Sequence, residues 1–170
     1  MTPFLVSVKT PKRHQTSPEL DCDVQKEDLR IEKSTTDPDV FIASLPDERR
    51  SDLATVDAVL SKVMSGYSRV LWGGKFWGGT EQSIIGYGDY SYQRPGKKTV
   101  EWFIVGLAPQ KKYNSIYVNA ADDDGYMIQR YADRLGKVKV RSAAITFKKA
   151  DDLDLGVLEE VVTMARDQMS

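Results

Sequence analysis

The 170 residues contain one histidine, His14, and one cysteine, Cys22, and both fall before position 37. From Asp37 onward the chain has neither imidazole nor thiolate. A Ser-His-Asp triad, a cysteine nucleophile and a zinc centre of the usual nitrogen and sulfur ligands cannot be assembled there. Carboxylates, lysines and tyrosines remain, and no spacing among them demands acid–base chemistry, so the expectation is a protein that is not an enzyme. Binding of a hard cation by carboxylate oxygens is left. Asp47, Glu48 and Asp52 fit it best: Glu48 and Asp52 are one helical turn apart, with Asp47 adjacent. Arg49 and Arg50 interleave with them and would repel a cation, so a solvated helix start competes with the metal reading. Asp122-Asp123-Asp124-Gly125 opens like a calcium loop but lacks the later ligands, and reads as a helix N-cap. Gly74-Lys75 lacks the upstream glycine and the following Ser or Thr of a phosphate loop.

The elements that must position these residues follow from pattern. Residues 1–36 are charge-balanced, poor in aromatics and without periodicity, and are predicted to be a disordered tail. Residues 37–170 are predicted to form the folded domain. Asp37-Pro38 starts a short helix to about Ser44. Pro46 opens a longer one to Ser65, with Leu53, Val56, Leu60, Val63 and Met64 on one face and Gly66 as its stop. Tyr67–Trp72 reads as a strand. The glycine-rich loop after it carries Phe76 and Trp77, either as a mobile lid or tucked onto the domain. Asp122 to Asp124 should cap a helix over Tyr126–Leu135, stopped by Gly136. Lys137–Arg141 alternates basic residues with valine and runs into a final strand, Ala144–Phe147. Lys137, Lys139, Arg141, Lys148 and Lys149 read either as a basic stripe or, more simply, as solvated outer-face cations on an edge strand. Asp154 caps the last helix, with Leu158, Val161, Val162, Ala165 and Met169 as its apolar stripe.

Between these helices, Ser83–Gln93, Val100–Pro109 and Ser115–Asn119 are rich in Ile, Val, Tyr, Trp and Phe and are separated by two polar turns. They predict a three-stranded antiparallel meander. A register pairing Ile85 with Leu107 and Tyr90 with Trp102 puts Ile85, Tyr87, Asp89, Phe103, Val105 and Leu107 on one face, which suits helix packing. Gly86, Gly88, Tyr90, Tyr92, Trp102, Ile104 and Gly106 take the other, a glycine floor beside an aromatic wall. That second face is either an open binding surface or covered, with the Trp77 loop as the cover. Trp72, Trp77, Gly86, Gly88, Tyr90, Tyr92 and Trp102 are thus the candidate face for a ligand or partner. The expected architecture is α+β: a single antiparallel sheet of about five strands with helices on one face.

Net charge is −1 and pI about 5.9, which disfavours nucleic acid as a partner. No apolar run nears the ~20 residues of a membrane helix, and a cytoplasmic monomer or weak dimer is expected.

Asp37 to the end resembles the YdhG-like family, a domain of unknown function. The resemblance is carried by Phe41 with Leu45-Pro46-Asp47-Glu48-Arg49-Arg50, by Leu71-Trp72-Gly73 and by Ile85-Gly86-Tyr87-Gly88-Asp89-Tyr90-Ser91-Tyr92. Val105-Gly106-Leu107-Ala108-Pro109, Leu135-Gly136-Lys137, Phe147-Lys148, Asp152-Leu153-Asp154 and Leu158 extend it. The resemblance implies a frataxin-like fold, and some members of that group are linked to iron handling. Iron is therefore the cofactor to weigh, with Asp47, Glu48 and Asp52 as its weak ligands. This chain has Ser91 where relatives often have His, Arg141 where they often have Gly, and a longer Gly74–Gln82 loop. A ligand role for that His would be lost here. Three expectations result: an interaction module using the aromatic face, a frataxin-like iron carrier, and a small-molecule binder.

Overall fold

The computed structural model describes residues 31–75, 81–93, 95–96 and 99–170. Helix α1, Pro38–Ala43, begins as predicted: the Asp37 carboxylate accepts the Asp39 N–H and Pro38 occupies the first turn. Helix α2, Asp47–Val63, follows Pro46, and its predicted stripe of Leu53, Val56, Leu60 and Val63, with Met64 just beyond, is buried. Gly66 ends it at φ +90°, a conformation that costs glycine little and other residues more. Helix α3, Leu155–Met169, starts at Asp154, whose carboxylate accepts the Val157 N–H.

The sheet is antiparallel throughout and has seven strands instead of about five. In chain order they are β1 (Ile31–Lys33), β2 (Arg69–Lys75), β3 (Glu81–Gln93), β4 (Thr99–Pro109), β5 (Asn114–Val118), β8 (Lys139–Arg141) and β9 (Ala144–Phe147). Their spatial order is β1-β2-β3-β4-β5-β9-β8. The two additional strands are three-residue edges: β1 falls in the segment predicted to be tail, and β8 falls in the alternating basic–valine run Lys137–Arg141. β1 also moves the domain boundary: Ile31–Lys33, assigned above to the tail, pairs with β2. The predicted disorder of residues 1–30 lies outside the described residues.

The aspartate run is corrected too. It forms a turn between β6 (Ala121–Asp122) and β7 (Gly125–Tyr126), where the Asp122 carboxylate accepts the Asp124 N–H at 3.0 Å and Gly125 takes φ +109°. A 3-10 helix, Met127–Tyr131, stands where a longer helix was expected. Gly136, the predicted stop, pairs with Leu153, and a Cβ there would lie 2.2 Å from the Asp152 carbonyl oxygen.

The β3–β4 register is the predicted one, with Ile85 opposite Leu107 and Tyr90 opposite Trp102. The assignment to faces holds only in part. Ile85, Tyr87, Val105 and Leu107 join the main core with Ile42 of α1 and the buried residues of α2 and α3. Phe103, expected among them, lies in a second cluster with Trp72, Ile84 and Ala108, flanked by Trp102 and Tyr117. Ile104, expected on the aromatic side, is in the main core. The reason is a break in the pleat at Gly88, which has φ +78° and forms no ladder pair with Ile104. A Cβ on Gly88 would meet Ile104 and Met64, so Gly88 also faces the helices. Such breaks are the usual consequence of a glycine inside a strand.

Candidate functional site

The carboxylates proposed for a cation do not converge. Asp47 forms an ion pair with Arg50. Asp52 accepts the Ala150 N–H at 2.9 Å, tying α2 to the turn before α3. Arg49, expected only to repel a cation, reaches across to the β4–β5 turn and donates to the carbonyls of Gln110, Lys111 and Tyr113. The first turn of α2 is thereby a fastening point between helix and sheet. Glu48 is exposed. Among the described residues, no group of three or more His, Cys, Asp or Glu side chains is placed to hold a metal ion.

The predicted aromatic face divides into a closed centre and a half-buried end. Trp72 is only 4% exposed, and Gly86 and Gly88 are buried. A Cβ on Gly86 would come within 2.5 Å of Trp72 Nε1 and 2.9 Å of Phe103 Cβ. Glycine is present there because an indole lies directly on the strand. Trp72 meets Trp102 at 5.9 Å and Phe103 at 5.9 Å, and Trp102 stacks on Phe103 at 4.6 Å. These centroid separations lie in the favourable range for aromatic pairs. The centre is a small core of its own, and it does not present Trp72, Gly86 or Gly88 as an accessible surface. Trp77 lies outside the described residues.

Beyond the break at Gly88 the burial pattern changes. Asp89, Ser91 and Gln93 on β3, and Thr99 and Glu101 on β4, are exposed. Between them Tyr90, Tyr92, Val100 and Trp102 are half-buried. Tyr90 and Tyr92 stack with centroids 5.9 Å apart, and Tyr90 packs against the main core. The outer half of this hairpin therefore carries the half-buried part of the predicted wall: Tyr90, Tyr92 and Trp102, with Val100 added.

A further cluster was not foreseen. Asp57 on α2 receives two hydrogen bonds from Arg69, Nε to Oδ1 at 3.0 Å and the terminal nitrogen to Oδ2 at 2.8 Å. The Tyr87 hydroxyl donates to the same Oδ1, and Ser61 Oγ donates to it at 3.3 Å. Arg69 also pairs with Asp39 of α1 at 2.9 Å. Burial, then the Asp57 charge, hold the Tyr87 hydroxyl well above its ordinary pKa. Burial lowers the Arg69 pKa, but bonding and charge from Asp57, with Asp39, outweigh it and leave the guanidinium more firmly protonated than usual. The Asp57 carboxylate, the Tyr87 hydroxyl and the Nε and one terminal nitrogen of Arg69 are engaged within the protein. The cluster clamps α1 and α2 to β2 and β3. Its members are 12 and 30 positions apart in the chain, so no local pattern could have announced it.

No protein-family model matches the chain, and no curated protein or solved structure matches it.

Proposed function

We propose that this chain is a non-enzymatic protein-binding module, a YdhG-like domain of frataxin-like arrangement, that engages its partner with the outer half of the β3–β4 hairpin. The observation that supports it is the stripe of Tyr90, Tyr92, Val100 and Trp102. These apolar side chains are half-buried on strands whose intervening residues are exposed. Tyrosine and tryptophan suit such a surface, since each offers a rigid apolar body and one polar handle. The resemblance of Asp37–Ser170 to the YdhG-like family supports the domain assignment, and its iron link is the competing reading. Against that reading, Asp47 and Asp52 are already engaged by Arg50 and by the Ala150 N–H.

The test begins with capture of partners from native extract by the full chain. The captured protein is then purified and titrated against the wild type and Tyr92→Ser/Val100→Ser. The expected result is at least about a tenfold loss of affinity, worth about 1.4 kcal/mol, with an unchanged melting temperature. Equal affinities would refute the hairpin surface. A sub-micromolar ferrous site in a parallel anaerobic titration would replace the module with an iron carrier.

A further inference from the structure

A second surface, independent of the hairpin, lies at one end and one edge of the sheet. Asn114 pairs with Phe147 and Lys139 with Thr146, so the β4–β5 turn, the end of β9 and the start of β8 are neighbours. Lys111, Lys112, Lys148, Lys149, Lys137 and Lys139 gather there, and all six are exposed. Arg141 continues the series along β8. Elsewhere Lys33, Arg50, Lys62, Arg69, Arg130, Arg134 and Arg166 each have a carboxylate within ion-pair distance. Among the described residues these six lysines and Arg141 have none. Two carboxylates near them are committed to backbone, Asp52 to the Ala150 N–H and Asp152 to the Lys149 N–H.

The second observation is the edge. β8 is the last strand in the sheet order. It joins β9 through the two-residue loop Ser142-Ala143, with Arg141 opposite Ala144. In such a hairpin the residues flanking the loop exchange hydrogen bonds and the pattern alternates, so Val140 turns its N–H and C=O away from β9. Edge lysines ordinarily discourage sheet-to-sheet association. Here they repel a second copy of β8 while leaving the backbone available to a strand of opposite charge.

We infer that β8 is a docking edge for an extended acidic protein segment, which adds to the sheet as a strand and places its carboxylates against Lys139, Arg141 and the adjoining lysines. Strand addition supplies the main-chain hydrogen bonds and alternate side chains supply specificity. Adjacent strands are about 4.8 Å apart, so the lysines at the ends of β5, β9 and β8 flank the same approach. A nucleic acid or an anionic lipid surface could use the charge but not the Val140 edge.

The experiment uses the full chain and a fluorescent peptide of about twelve residues alternating Glu and Thr, read by anisotropy, beside a Lys–Thr peptide, an oligothymidylate and phosphatidylserine vesicles. The Glu–Thr peptide should bind, and the Lys–Thr peptide should not. Affinity should fall several-fold between about 50 and 300 mM salt. Lys139→Glu/Arg141→Glu should weaken it at least about tenfold. Val140→Pro, with every charge kept, should weaken it comparably, because proline removes the outward donor. If Val140→Pro does not fold, amide exchange at Val140 with and without peptide replaces it, and protection is expected. No binding of the Glu–Thr peptide, insensitivity to the charge reversal, an unprotected Val140, or tighter binding of the oligonucleotide or vesicles would each overturn the inference.

Discussion

The most informative single residue is Asp57, because three elements meet on its carboxylate. Its side chain is 13% exposed and that of Arg69 is 23% exposed. Asp57→Ala would leave Arg69 short of its main partner, and the expected loss is about 2–3 kcal/mol, below the range for fully buried pairs. Asp57→Asn keeps some of the hydrogen bonding and should cost less; denaturant melts check both. Tyr87 adds a pH signature. Its folded pKa lies above the ordinary value of 10.0, so its contribution to stability is fully present below pH about 10 and is lost as pH rises beyond it. Tyr87→Phe should lose about 1 kcal/mol at neutral pH and show a shallower decline above pH about 10. A Phe variant that declines as steeply as the wild type would show that another group carries the alkaline transition. None of this was legible in the sequence. Asp57 sits one residue beyond Val56 at the border of the apolar stripe, where an acidic residue on a helix looks merely solvated.

At the scale of elements the central hairpin shows both the reach and the limit of pattern reading. Its strands, its turn and its register were legible, because branched and aromatic residues alternate about a Pro-Gly turn. The faces were not legible throughout, because alternation presumes an unbroken pleat and Gly88 breaks it. Phe103 consequently packs with Trp72 and Trp102 instead of under the helices. Its burial is complete all the same, at 0% exposure, so Phe103→Ala is expected to cost about 3–5 kcal/mol. Trp102→Ala should cost clearly less in the same denaturant melts, since that ring is half-buried. Gly86→Ala tests the packing of the indole on the strand: with Trp72 Nε1 only 2.5 Å from the new Cβ, about 1–3 kcal/mol should be lost through overpacking. The edge strand β1 and the aspartate turn escaped for a different reason. The three residues of β1 carry no period, whereas the alternation of Lys137–Arg141 marked β8, and an Asp-Asp-Asp-Gly run suits a helix cap and a tight turn equally until the pairing of Ala121 with Tyr126 decides.

For the whole molecule, the antiparallel α+β architecture followed from composition and pattern, whereas the sheet's width and the accessible surface depended on contacts distant in sequence. The edge strand β1 gives a direct check. It pairs three residues with β2, and Lys33 bonds to Asp89 at 3.1 Å while lying 5.4 Å from the Trp72 ring centroid. Chains beginning at residue 37 should therefore melt a few degrees below chains beginning at residue 31, as about 1 kcal/mol implies for a domain of this size. Ferrous binding is expected to be no tighter than about 10 μM, roughly −7 kcal/mol. The N-terminus of α2 is the positive end of its dipole, and Arg49 and Arg50 add charge beside it. The central claim is that the outer half of the β3–β4 hairpin is the partner surface. Amide shift mapping of the isotope-labelled full chain against its captured partner tests it most directly. The expected perturbations are concentrated on Asp89–Gln93 and Thr99–Trp102. Perturbations confined to the helices or to the β8 edge, with those hairpin amides unmoved, would contradict it.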